Sequence, residues 1–384
     1  MLPDGTRADR VRVLVTDGDY KHTLGIVRQL GSKADVYVAS TRRMSLGGVS
    51  RLAHANLRCP SIYDSPAFTD WLDRAIARYR IDQVIPVGYA ACALLAEKQG
   101  RWLPATRIVL PPPALMRRAL DKRETNRLAV QIGVPAPRSV QPGSIDEVGA
   151  CATLIGYPLV IKSPLEGGSD VVYVDGPSSL LGTYEKWLAR HAGDAELPLL
   201  QQRIVGDGFG VFATYQNGRC RRIAAHRRIR EYPVDGGPSS CAEVFDDPVL
   251  LELGRRMLDA LDWHGVAMVE FKRHTDGRYY LMEINPKFWG SLDLALAAGC
   301  DFPGDLLAIG RGEDLPEVSA PAAGLRLCWP LSADLKYLVH RPGRWRAVLH
   351  DWLSPSVRTN VRISDPLPNL LELAQTIRSF LPRR

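Results

Sequence analysis

Glu270, Glu283, Asn285 and Lys287 are spaced for metal-assisted phosphate chemistry. Two apolar runs between Val266 and Pro286 flank Asp276-Gly277, a pair that favours a tight hairpin turn. A turn at those two residues sets Thr275 against Arg278, and the same register sets Glu270 against Glu283. Side chains directly opposed in an antiparallel pair have Cβ atoms about 5 Å apart. Period-two alternation brings Asn285 to the face of Glu283. Two like charges so placed destabilise a sheet unless a cation lies between them. Two carboxylates and an amide carbonyl are hard oxygen ligands suited to Mg²⁺, which completes its shell with water and substrate phosphates. Val266, Met268 and Leu281 are expected on the same side, which argues against a merely solvated acidic face. Lys287 stands two residues past the amide, where a cation could bridge a phosphate and a developing anion.

Other cations fall where an anion could lie. Lys162 ends the apolar run Tyr157–Lys162, just before Glu166-Gly167-Gly168-Ser169-Asp170 and a second run, Val171–Val174. Strand, glycine-rich turn and strand make a hairpin whose tip can cover a ligand. Lys122 begins a helix expected over 122–132, with Asp121 and Glu124 as a capping box and Gly133 past its end. Helix N-termini attract anions. Arg228 and Arg230 share a face by alternation, and their guanidinium forks suit a carboxylate or acyl phosphate. Charges that blunt an edge strand are the alternative reading. Gly206-Asp207-Gly208-Phe209-Gly210 superficially resembles a phosphate loop. It lacks Gly-Lys-Ser/Thr and sits between strands, which disfavours that reading.

The elements that must position these groups fall into four segments. Strand patterns at 11–16, 36–39, 83–87 and 107–110 alternate with helical stretches, which predicts a parallel doubly wound sheet in a Rossmann-like unit, 1–113. The first turn lacks G-x-G-x-x-G, so a dinucleotide site is not expected. Pro111-Pro112-Pro113 reads as a stiff linker. An α+β region follows, divided into 114–198 and 199–330, and then a helical tail, 331–384. The length, 384 residues, allows several cores without disulfide support. The formal charge of +7 suits an anionic ligand without demanding nucleic acid. Seven scattered cysteines never form C-x-x-C and fit a reducing cytoplasm. No apolar run reaches the ~18 residues of a membrane span, and the polar first ten residues do not read as a secretory signal.

Taken together, Glu270 followed by Glu283-Ile284-Asn285-Pro286-Lys287, with the order of the preceding parts, resembles the ATP-grasp superfamily of carboxylate–amine ligases over roughly residues 10–315. The resemblance implies a Rossmann-like domain followed by two α+β lobes that grip ATP. It implies that Lys122 and Lys162 contact the phosphates and that Gly167, Gly168 and Ser169 form a flexible flap. Gln202, Arg203 and Ile204 would meet the adenine, and Asp207 the ribose. Glu270, Glu283 and Asn285 would hold two Mg²⁺, with Mn²⁺ as an alternative, and Arg228, Arg230 and Lys287 would serve the reacting groups. Gln202 and Lys287 stand where the family often has glutamate and arginine. The implied reaction transfers the γ-phosphate of ATP to a carboxylate, after which an amine displaces phosphate. Small-molecule substrates of amino-acid or peptide type and a homodimer are the expected partners. An ATP-binding regulatory module, or a biotin-carboxylase or carbamoyl-phosphate type of reaction, is the rival expectation.

Overall fold

Val13, Leu14 and Val15 are buried on both faces, as a strand inside a parallel sheet must be. In the computed structural model, which describes residues 10–165, 171–193, 196–234 and 236–381, they belong to β1 (Arg12–Val15). β1 pairs in parallel with β2 (Asp35–Ser40), which continues to β3 (Ala55–Arg58). On its other side lie β4 (Gln83–Ile85) and β5 (Arg107–Ile108), giving the order β3-β2-β1-β4-β5. The crossovers are α1 (Lys21–Leu30), α2 (Ser65–Tyr79) and α3 (Tyr89–Lys98). β3 has no counterpart among the expected strands, because Ala-Asn-Leu-Arg is half-buried and carries no apolar run.

The three prolines do not act only as a spacer: Pro113 opens α4 (Pro113–Leu120), where its missing N–H is harmless. Asp121 caps α5 (Lys122–Gln131) by accepting from the Arg123 and Glu124 N–H groups. The reciprocal half of the capping box is absent, since Glu124 pairs with Arg127 instead. α6 (Val148–Ile155) and α7 (Pro177–Arg190) pack on an antiparallel sheet of β6 (Ser139–Val140), β7 (Leu159–Lys162), β8 (Val172–Val174) and β9 (Leu199–Gln202). The order is β6-β9-β7-β8. β9 was expected to open the segment 199–330, yet its hydrogen bonds place it in this first lobe.

The third sheet carries β10 (Gly206–Gln216), β11 (Arg219–Glu231), β12 (Ser239–Phe245), β13 (Gly265–His274), β14 (Tyr279–Asn285), β15 (Arg326–Cys328) and β16 (Val357–Thr359), in the order β14-β13-β10-β11-β12-β15-β16. α8 (Pro248–Asp259), capped by Asp247, covers one face over Phe209, Val211, Val269 and Phe271. The other face is different. Phe212, Met268 and Trp289 share one core with Val13, Val15, Ile26 and Val27 of the first domain. α9 (Leu292–Ala297) and α10 (Phe302–Gly310) complete it. The tail holds α11 (Leu335–His340), α12 (Trp345–Leu353) and α13 (Pro366–Phe380), and it also contributes β16 to the sheet. No helix among the described residues is long and apolar enough to cross a membrane.

Candidate active site

The β13–β14 hairpin places Glu270 opposite Glu283, by a route the sequence did not suggest. The turn is Thr275-Asp276-Gly277, closed by the His274 N–H on the Arg278 carbonyl at 2.9 Å, with Gly277 at φ +85. That three-residue turn alone would slip the register by one. An irregularity after Glu270 takes up the difference, with Phe271 facing Leu281 and Met282 as the extra residue. Met282 lines the cleft, whereas Leu281, expected beside the glutamates, lies in the opposite core with Phe271 and Ile284.

The two carboxylates have different neighbours. Arg228 Nη2 lies 2.6 Å from Glu270 Oε1. Asn285 Nδ2 donates to Glu283 Oε1 at 3.0 Å, and Lys122 Nζ is 3.9 Å from Glu283 Oε2. Burial pushes the Glu270 carboxyl above its usual range; Arg228 opposes that shift and Glu283 adds to it. A divalent cation between the carboxylates would relieve the repulsion. Glu270, Glu283 and the Asn285 carbonyl line the cleft and could supply the oxygen donors for it.

Arg228 can reach Glu270 because the strand between them is bare. β10 lies between β11 and β13, and a Cβ on Gly208 would stand 2.9 Å from Arg228 Cδ. At Gly210 it would stand 2.8 Å from His226 Nε2 and 3.1 Å from Met268 Sδ. The glycine cluster is therefore a groove for side chains of the neighbouring strands, not a phosphate loop.

A cavity of about 390 Å³ gathers Lys122, Lys162, Gln202, Arg203, Ile204, Arg228, Glu270, Glu283, Asn285 and Lys287. Lys122 and Lys162 are buried in its wall. Lys122 is fixed by its N–H on the Pro164 carbonyl at 2.8 Å and its Nζ on the Leu165 carbonyl at 3.2 Å. The Gln202 N–H donates to the Arg138 carbonyl at 2.8 Å, and the Arg203 guanidinium lies 4.4 Å from the Tyr173 ring centroid.

Other expectations differ. Arg230 does not share the face of Arg228. Ile229 is an extra residue in β11, so Arg228 pairs with Ala242 and Arg230 with Cys241. Those neighbours on β12 point to opposite faces. Arg230 donates instead to Asp334, at 3.1 Å from both Nε and Nη2, and to Asp351. Asp207 pairs with Arg273 near the start of β10 and does not line the cavity. Gly167, Gly168 and Ser169 lie outside the described residues.

The sequence reading missed His226, Ser239, Trp289 and Ser291, which also line the cleft. The Trp289 ring stacks on Phe212 at 4.2 Å and 5°. His226 Nδ1 is 3.1 Å from Ser291 Oγ, and burial with the nearby Arg228 charge holds the imidazole well below its usual pKa. The available signal was the run Phe288-Trp289-Gly290-Ser291 directly after Lys287.

Several known proteins are similar to parts of this chain. A family described as "ATP-grasp in the biosynthetic pathway with Ter operon" matches residues 199–330. A D-alanine–D-alanine ligase of Stutzerimonas stutzeri is 27% identical over 213 residues, covering 50% of this chain and 64% of that protein. The carbamoyl phosphate synthase large chain of Acidobacterium capsulatum is 23% identical over 191 residues, covering 47% of this chain and 17% of that protein. The chain thus spans less than two thirds of the length of the D-alanine–D-alanine ligase it matches. Among solved structures, a Campylobacter jejuni biotin carboxylase superposes with TM-score 0.68 at 14% identity, over 83% of this chain and 74% of that one. An L-amino acid ligase from Bacillus licheniformis gives 0.60 at 17% identity, over 78% and 73%. At these identities the two structures speak for the fold.

Proposed function

For a chain that belongs to the ATP-grasp superfamily, we propose an ATP-dependent ligase that activates a carboxylate as an acyl phosphate and joins it to an amine. The observation that carries the reading is the pair Glu270 and Glu283, opposed in the wall of a cleft whose cations include Lys122, Lys162, Arg228 and Lys287. Phosphoryl transfer asks chiefly for positioning and charge neutralisation, and this wall offers both.

Bound ATP supplies the γ-phosphoryl group, and bound Mg²⁺, in our reading two ions, neutralises its oxygens. Lys122 and Lys162 hold the phosphates from the first lobe. Gln202, Arg203 and Ile204, at the end of β9, accept the base. Glu270, Glu283 and Asn285 provide the metal ligands. Arg228 and Lys287 steady the negative oxygens of the carboxylate as it becomes an acyl phosphate. Trp289, which lines the cleft and stacks on Phe212, keeps water from that mixed anhydride. The D-alanine–D-alanine ligase relatives favour substrates of amino-acid or peptide type. The free thiols of the scattered cysteines suit a reducing cytoplasm.

The test is nucleotide turnover with Mg-ATP and pooled amino acids and small carboxylic acids, the products identified by mass. ADP and phosphate should form only with certain pools, and Glu283→Ala should abolish them. AMP and pyrophosphate would replace this mechanism with adenylation. ATP binding without turnover in any pool would favour a nucleotide-sensing module.

A further inference from the structure

Arg230 leads to a second chemical centre, on the far side of the sheet from the metal ligands. Its Nη2 donates to Cys328 Sγ at 3.3 Å, and Cys328 Sγ lies 2.8 Å from Cys241 Sγ. Both cysteines are buried. They are direct partners on the antiparallel strands β12 and β15. The flanking hydrogen bonds, Trp329 N–H to Ser240 carbonyl at 3.0 Å and Val244 N–H to Leu325 carbonyl at 2.8 Å, fall on the alternate pairs. Cys241 and Cys328 are therefore a non-hydrogen-bonded pair, the kind whose Cα atoms approach to about 4.5 Å with side chains closest. That separation lies inside the roughly 4.4–6.8 Å range that a disulfide accepts.

Cys241, Cys328 and Asp351 could also be imagined around a metal ion. Arg230 argues against it, because its guanidinium already binds Asp351 and Cys328 and supplies the positive charge there. The hydrogen bond with Cys328 and burial push the Cys241 thiol well above its usual range, so Cys328 Sγ, beside the Arg230 guanidinium, is the sulfur placed to attack first.

We propose that Cys241 and Cys328 are an oxidisable dithiol that closes a cross-strand disulfide under peroxide. Cys328 sulfur attacks one peroxide oxygen; the O–O bond breaks, the hydroxide released takes the thiol proton as water, and a sulfenic acid remains. Cys241 sulfur then attacks that sulfur, the S–O bond breaks, and the Cys241 proton leaves with the second water. Two thiols lose two hydrogens and two electrons, and one peroxide becomes two waters. The bond joins β15 of the carboxyl-terminal part to β12, whose Ser239 lines the cleft. Access comes through opening of β15 and β16, three residues each at the edge of the sheet. Reaction is therefore slower than at a surface thiol.

The test exposes the full chain to hydrogen peroxide, then unfolds it in an alkylating agent and maps peptides without reduction. The expected product is a Cys241–Cys328 cross-link lacking two hydrogens, with a raised Tm that dithiothreitol restores. Cys241→Ser and Cys328→Ser should each remove both the cross-link and the Tm rise. Alkylation of both thiols after prolonged peroxide, a cross-link between other cysteines, or stoichiometric Zn²⁺ bound by the untreated chain would each overturn the proposal. None of these readouts depends on ligase activity, so the result stands apart from the reading of the cleft.

Discussion

Arg228 reaches across β10 to Glu270, while Arg230, two positions along the same strand, is held by Asp334 and Asp351 behind the sheet. The side chain of Asp334 is fully buried, so removing the guanidinium leaves its charge with only the Trp352 N–H at 2.8 Å as a described hydrogen-bond donor from a side chain and the Lys21 ammonium as a more distant counter-charge. Arg230→Ala should therefore cost about 3–5 kcal/mol, the usual penalty for breaking a buried pair, read as a lower urea midpoint. ATP affinity of the folded fraction should change little. Unchanged stability with lost turnover would instead return Arg230 to the reacting groups. The sequence could not separate the two arginines, because alternation assumes a strand without an extra residue. The acidic set was legible for a fortuitous reason: the misread turn and the unseen irregularity at Glu270 shift the register in opposite senses and cancel.

At the scale of elements, β10 works by what it lacks. Its glycines let Arg228 and His226 lie flat toward β13. Gly210→Val would drive a side chain into His226 and Met268, and overpacking of this kind costs about 1–3 kcal/mol. The variant should melt earlier and lose turnover together. A variant with native Tm and full turnover would show that the groove is not needed. Glycines spaced two apart on a strand signal such a close approach, but the type of neighbour is set by sheet order, which no local pattern contains. The same limit hid β3, β15 and β16, which are three or four residues long and too short for a period to show. The helix expected over 122–132 and the parallel core of the first domain were readable, since capping residues and continuous apolar runs mark them locally.

For the molecule as a whole, the two ends of the described chain are fastened to each other. Arg28 on α1 donates through Nε to Asp365, just before α13, at 2.9 Å, and through Nη1 to the Asn360 carbonyl at 2.7 Å. The Ser50 hydroxyl and the Arg51 N–H also donate to Asp365. Burial alone would raise the Asp365 pKa; Arg28 and the backbone outweigh it and hold the carboxyl below the ordinary aspartate value. A depressed folded pKa means the stabilisation is complete above the unfolded value of about 3.9. It fades as pH falls through the lower folded value. The urea midpoint of the wild type should exceed that of Asp365→Asn at pH 6, and the gap should close toward pH 2.5. A gap independent of pH would mean that charge is not what the aspartate contributes.

That fastening also bears on how the chain is made. During synthesis Arg28 leaves the ribosome 337 residues ahead of Asp365, and Val13, Ile26 and Val27 precede Phe212, Met268 and Trp289, with which they pack. The first domain therefore emerges with an unmatched guanidinium and one uncovered apolar face. That face and that guanidinium stay open until the residues through Asp365 have been translated, so a domain made before the third sheet is finished only after it.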